Sequence, residues 1–158
     1  MSNTIKTGQF TIIRDAEIGE KTVIWHHCNL FGCRIGKNCK IGSYVEIGPG
    51  SSVGDDCKIE AFAYICSGVT IGNKVFIGPH VTFINDKYPK AVGDWKIVPT
   101  LVESGASIGA NTTILCGVTI GKNSLIAAGS MVTKDVPSNT WVAGNPARPM
   151  KRKTSGAS

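Results

Sequence analysis

The stretch from Ile84 to Leu101 gathers most of the polar and aromatic groups that could do chemistry: Asn85, Asp86, Lys87, Tyr88, Asp94, Trp95 and Lys96. A carboxamide such as Asn85 can orient a reacting group without exchanging a proton, whereas the Asp86 carboxylate could act as a base. The histidines are His26, His27 and His80, enough in number for a zinc site of three imidazoles. Six cysteines occur with no C-x-x-C pair, so neither a zinc knuckle nor a redox motif is spelled out. Arg148, Lys151, Arg152 and Lys153 concentrate positive charge late in a chain of net charge +6. Such a cluster is either a solvated tail or an attraction for polyanionic small molecules.

The elements that must hold these groups are written in a rhythm of six. Apolar residues recur in three runs. The first is Ile12, Ile18, Ile24, Leu30. The second is Ile35, Ile41, Ile47, Val53, Ile59, Ile65, Ile71, Ile77, Phe83, and the third is Val102, Ile108, Ile114, Ile120, Ile126, Val132. In a chain that is 42% hydrophobic, nineteen filled slots would arise by chance with odds on the order of 10⁻⁷, so the period is real. Four places after the key residue stands a small or β-branched one: Thr22, Cys28, Cys39, Ser51, Cys57, Ala63, Val69, Thr112, Val118, Ser130.

Six residues are too few for a helix and its turns but suit one short strand and a tight corner. Three such units predict a triangular coil whose turns stack at about 4.8 Å, giving roughly six coils and a prism about 30 Å tall. The fold class expected is therefore all-β, a parallel β-helix, with Cys28, Cys39 and Cys57 as buried thiols suited to a reducing compartment. The rhythm fails between Phe83 and Val102, which predicts a protruding loop at about 84–101 that either serves function or locks subunits together. Between Leu30 and Ile35 one residue is merely dropped from a corner. His27 and His80 share a slot three coils apart, about 14 Å at the inter-strand spacing. Metal ligands lie ~2 Å from zinc, so that pair cannot share an ion, and no metal is expected. His80 is read as packing.

The repeat, with Ile108-Gly-Ala-Asn-Thr-Thr113 and Val132-Thr-Lys-Asp-Val-Pro137, resembles the hexapeptide-repeat acyltransferases from about Ile12 to Lys151. The resemblance implies a left-handed coil, against the usual right-handed preference of parallel crossovers. Four segments look more narrowly like bacterial N-acetyltransferases of nucleotide-linked 3-amino sugars, which supply surface polysaccharide and lipopolysaccharide O-antigen. They are Ile24-Trp25-His26, Phe83-Ile-Asn-Asp-Lys-Tyr-Pro-Lys90, Gly105-Ala-Ser-Ile-Gly-Ala-Asn111 and Ala143-Gly-Asn-Pro-Ala-Arg148.

That resemblance implies acetyl-CoA as co-substrate, an amino sugar carried on UDP or dTDP, and a cytoplasmic homotrimer with sites between subunits. It implies Asn85 as the catalytic residue, holding the amine in line with the thioester, with Asp86, Lys87 and Tyr88 joining it against the sugar. Carried over residue by residue, coenzyme contacts fall on Ala110, Ala128, Thr133, Lys134, Arg148 and Lys151. Residues 1–148 would form the β-helix acyltransferase domain, and 149–158 a basic, flexible tail.

Galactoside- and antibiotic-acetylating relatives place a histidine beside the loop asparagine as base for a hydroxyl. This loop has none. An amine is partly neutral near pH 7 and is already a nucleophile, so the missing histidine points to N- rather than O-acylation. Asp86 or His80 as an assisting base, and O-acetylation of a sugar or small hydroxylated substrate, stay open as alternatives. A non-catalytic binding prism would want flat, repetitive faces without a long loop. A zinc-dependent carbonic anhydrase of this fold would need its histidines together. No recognition-helix pattern and no aromatic-interleaved basic stripe suggest nucleic acid. No apolar run nears the ~20 residues of a membrane span, and Met1 to Phe10 reads as no signal peptide.

Overall fold

A computed structural model describes residues 5–150, which form short strands and no helix. The chain winds as a left-handed parallel β-helix with three flat faces. Face 1 stacks Lys6–Thr7, Val23–Ile24, Lys40–Ile41, Lys58–Ile59, Phe76–Ile77, Ser107–Ile108, Leu125–Ile126 and Trp141–Ala143, all parallel, and closes with Arg148–Pro149 running antiparallel. Face 2 stacks seven strands from Ile12–Arg14 to Met131–Val132, and face 3 six strands from Glu17–Ile18 to Thr119–Ile120.

From Glu17–Ile18 to Met131–Val132 the second residue of each two-residue strand points inward and the first outward, as a period of two requires. Inward Ile24, Ile41, Ile59, Ile77, Ile108 and Ile126 form one buried column behind face 1. The small slot is buried throughout, from Thr22 to Ser130. Within it Cys28, Cys39 and Cys57 each donate Sγ–H to a glycine carbonyl of the next coil, Gly42, Gly54 and Gly72, at 3.1 Å. All six cysteines are buried free thiols, and burial pushes Cys66 up to about 11.

The coils depart from the expected count and register at their ends. Ile13, not Ile12, pairs with the inward Leu30, and Ile12 stands 61% exposed. The cause is a second shortened corner, Ile13 to Ile18, matching that from Leu30 to Ile35. Ile24 pairs with Ile41, seventeen residues on, whereas Ile41 pairs with Ile59, eighteen on. Face 1 holds eight parallel rungs rather than six. Thr7 occupies the first in place of an aliphatic residue, and buried Val136 and Val142 extend the stack after a compressed corner at Thr133–Asp135. The insertion ends two residues early, because Thr100 and Leu101 already pair with Val69 and Thr70.

The three edges differ chemically. Between faces 3 and 1 the corners carry polar groups that cap the coil beside them. Asp55 Oδ1 accepts the Lys37 N–H and Asn73 Oδ1 the Asp55 N–H, each at 2.8 Å. Between faces 1 and 2 the corner residues are Phe10, His27, Tyr44, Phe62 and His80, all at φ between 56° and 63°. A left-handed backbone costs a bulky L-residue roughly 1–2 kcal/mol. Ring stacking, worth about 0.5–1.5 kcal/mol per pair, offsets much of that. The rings form one column with centroids 5.1 Å apart at its foot and 4.8 Å at the next three steps, every plane within 13° of its neighbour. His27 and His80 are thus three steps of 4.8 Å apart. Among the described residues no group of three or more His, Cys, Asp or Glu could hold a metal ion, and no helix is long and apolar enough to cross a membrane.

Packing on this pattern predicts that Ile77→Ala, in mid-column, loses about 2–5 kcal/mol of stability. Ile12→Ala should lose under about 0.5 kcal/mol, as an exposed position does. Urea unfolding midpoints of the two variants check the contrast.

Candidate functional site

The third edge, between faces 2 and 3, carries glycines and the insertion. After the strand Thr82–Phe83 the chain leaves the prism at Ile84 and returns at Thr100. Its neck is tied by the Val98 N–H donating to the Asn85 carbonyl at 3.0 Å. Two glycines admit it. A Cβ on Gly68 would stand 2.6 Å from Ile97 Cγ2, and one on Gly117 would stand 3.0 Å from Val98 Cγ1. Both glycines hold positive φ, +85° and +78°, where a side chain is strained in any case.

Asn85, half-buried at the root of the loop, donates from Nδ2 to the Ser67 carbonyl at 3.2 Å. Only the amide nitrogen can donate to a carbonyl, so this contact sets which way the carboxamide faces. Its Oδ1 is left without a partner among the described residues. Asp86 turns back on its own loop, Oδ1 accepting the Tyr88 N–H at 2.9 Å. Beyond it the arm is exposed from Lys87 to Ile97. Tyr88 is 74% exposed, with the Lys87 ammonium 5.7 Å from its ring centroid, and Val92 is 87% exposed.

The residues proposed for the coenzyme fall into two groups. Ala110 and Ala128 occupy successive corners of the aromatic edge, tied by the Gly129 N–H to the Ala110 carbonyl at 2.8 Å. They stand above the last ring, His80. Thr133 and Lys134 lie on the glycine edge in the top coil and share a cavity of about 210 Å³ with Arg148. Lys151 lies outside the described residues. Of the segment expected as a tail, Pro149 is in the closing strand, and the Met150 N–H donates to the Trp141 carbonyl at 2.8 Å.

Of the cavities along face 1 beside the aromatic edge, two lie next to the rung of Phe76. The upper, about 340 Å³, is walled by Phe76, Gly109, Leu125, Ala127 and Ala128. The lower, about 470 Å³, is walled by Trp25, Lys40, Ser43, Lys58, Glu60 and Ala61. Sequence reading passed over Lys40 and Lys58. They are eighteen apart, so following outward positions by coil would have aligned them.

A family model of bacterial transferase hexapeptide repeats (six repeats) matches residues 32–65, 50–85 and 99–134. The chain belongs to this hexapeptide transferase family. The matched spans flank the arm, so membership rests on the prism and not on the loop. The galactoside O-acetyltransferase of Escherichia coli is 41% identical over 85 residues, covering 51% of this chain and 42% of that one. The chain spans less than half the length of the curated relatives it matches. A hexapeptide-repeat acetyltransferase of Vibrio cholerae is 27% identical with TM-score 0.58, over 89% of this chain and 72% of that one. A mutant GDP-perosamine N-acetyl transferase of Caulobacter crescentus, in complex with CoA and GDP-perosamine, shares the fold. It is 20% identical with TM-score 0.63, over 90% of this chain and 58% of that one.

The neck predicts a local effect. Gly68→Val, driving a branched side chain into Ile97, should loosen the arm and speed limited proteolysis within residues 86–98 several-fold, while the prism itself stays resistant.

Proposed function

We propose that the protein transfers an acetyl group from acetyl-CoA to the amine, at C3, of a nucleotide-linked amino sugar destined for surface polysaccharide. The observation that carries this reading is the Asn85 carboxamide, held through Nδ2 by the Ser67 carbonyl, its Oδ1 without a partner among the described residues, and no imidazole in the loop. Oδ1 is an acceptor. It would take one N–H of the amine and so orient the nitrogen lone pair, which is catalysis by positioning. The amine needs no strong base, and its surplus proton leaves with the thiolate. Asp86 spends one carboxylate oxygen on its own turn. His80 stacks on Phe62 at the opposite end of the strand Thr82–Phe83 from Asn85.

Acetyl-CoA would supply the activated thioester. The basic groups at the top of the prism, Lys134 and Arg148, suit its phosphates, because charge-assisted contacts are the strong ones. The small side chains of Ala110 and Ala128 leave room for a narrow arm. These two groups flank the strand Met131–Val132 on different edges, so a single arm meets both most simply between two copies. The exposed Val92, Trp95 and Ile97 of the loop likewise ask for a neighbour to cover them. A parallel homotrimer, with one prism's loop edge against the next one's aromatic edge, satisfies both needs. The relatives' names include N- and O-acetylating enzymes, and the loop chemistry favours the first.

Asn85→Ala should lower kcat/KM by roughly 10²-fold, the scale of lost positioning. The rate should climb with pH as the substrate amine deprotonates and then level off. Asp86→Asn, and His80→Phe, which keeps the column stacked, should leave that profile unchanged. A collapse in either, with Asn85→Ala near wild type, would make the acid or the imidazole the base and sink the scheme. Separately, reversing charge at Lys134 and Arg148 should raise KM for acetyl-CoA well above twofold and leave KM for the sugar alone. The loss should shrink at high salt, where the wild-type contacts are themselves screened.

A further inference from the structure

We propose that the lower cavity of face 1, between Trp25, Lys40 and Lys58, receives the diphosphate and base of the sugar nucleotide. The inference rests on the function proposed above and adds the place where the acceptor's nucleotide lies. Lys40 and Lys58 occupy the same outward column on neighbouring rungs, paired directly in register. Like charges facing each other across strands are destabilising. Only Lys58 is relieved, by Glu60 at 2.6 Å, and its ammonium also lies 5.8 Å from the Phe76 ring centroid. Lys40 has no carboxylate partner among the described residues. A doubly charged anion laid across the two rungs would turn this repulsion into attraction, and a diphosphate is such an anion. Beside Lys40 the indole of Trp25 is 46% exposed. Its apolar face suits a flat pyrimidine ring.

Position along the axis argues the same way. The upper cavity, with Gly109, Leu125, Ala127 and Ala128, is apolar, as an uncharged arm requires. The lower one is cationic. Phe76, which lines the upper one, pairs in register with Lys58 of the lower one and belongs to the coil from which the loop departs at Ile84. In a parallel ring, neighbouring copies stand at equal height, so Asn85 of one copy comes level with Phe76 of the next. A coenzyme entering from above and a nucleotide anchored below would bring thioester and amine together at that rung.

The test titrates the full chain with UDP, dTDP, inorganic pyrophosphate and acetyl-CoA by calorimetry. Wild type should bind both nucleotides and, more weakly, pyrophosphate. Lys40→Gln with Lys58→Gln should weaken all three by about 10-fold or more, the scale of lost charge-assisted hydrogen bonds. Acetyl-CoA binding should stay within twofold. Trp25→Leu should weaken the nucleotides and spare pyrophosphate, which separates base stacking from phosphate contact. Nucleotide affinity unchanged in the double lysine variant would overturn this subsite while leaving the proposed reaction standing. Acetyl-CoA binding without any nucleotide binding in wild type would overturn both.

Discussion

No strand among the described residues is longer than three residues, so none could hold its place without the rung below and the rung above. The backbone hydrogen bonds between successive coils are the condition for everything else. They run, for example, from Lys40 N–H to the Cys57 carbonyl at 2.9 Å and from Gly42 N–H to the Ile59 carbonyl at 2.7 Å. Because they hold each coil in register with the next, side chains fall into columns, and each column can be filled with one kind of chemistry. An excursion is tolerated only if the chain returns in register. The arm does so, since Val69, Thr70 and Ile71 meet Thr100, Leu101 and Val102 in order.

Three edges follow from the same geometry, each easing the corner strain in its own way. Glycine removes the offending Cβ and leaves space, which is why the arm is rooted there between Gly68 and Gly117. Asn, Asp and Ser cap neighbouring amides at the polar edge. The aromatic edge accepts the strained backbone and recovers energy through stacked rings. The column of rings stops at His80, and Asn111 and Gly129 follow at the same corner. The edge therefore changes from bulky to spare at the height where Ala110 and Ala128 begin.

Residues with a repeating physical duty were legible in the sequence. The inward isoleucines, the small slot and the interruption after Phe83 can be read from period alone, because burial imposes the same demand at every turn. The first coil was misregistered because its shortened corner lets Ile12 mimic the inward residue, while Ile13 takes that role at an end where burial is incomplete. Thr7 and Val136 escaped because neither keeps the apolar rhythm of its neighbours. Asn85 was visible through family resemblance, but its orientation was not. That depends on a carbonyl, Ser67, eighteen positions back on an adjacent corner. Lys40 and Lys58 carry no hydrophobic signal at all, and only the coil length brings them side by side.

The closing strand has a consequence for how copies of this chain can meet. A stack of parallel rungs is, in principle, a template that another solenoid could continue, building filaments end to end. Here Arg148–Pro149 turns back antiparallel on Trp141–Ala143, and the Ala147 N–H takes the Met131 carbonyl at 2.8 Å on the adjoining face. An incoming coil wound the same way would meet an antiparallel partner on this face and parallel ones on the others, and the two kinds of ladder place their hydrogen bonds differently. The fold thus carries its own chain terminator at this end, which leaves lateral contact as the open route to assembly there.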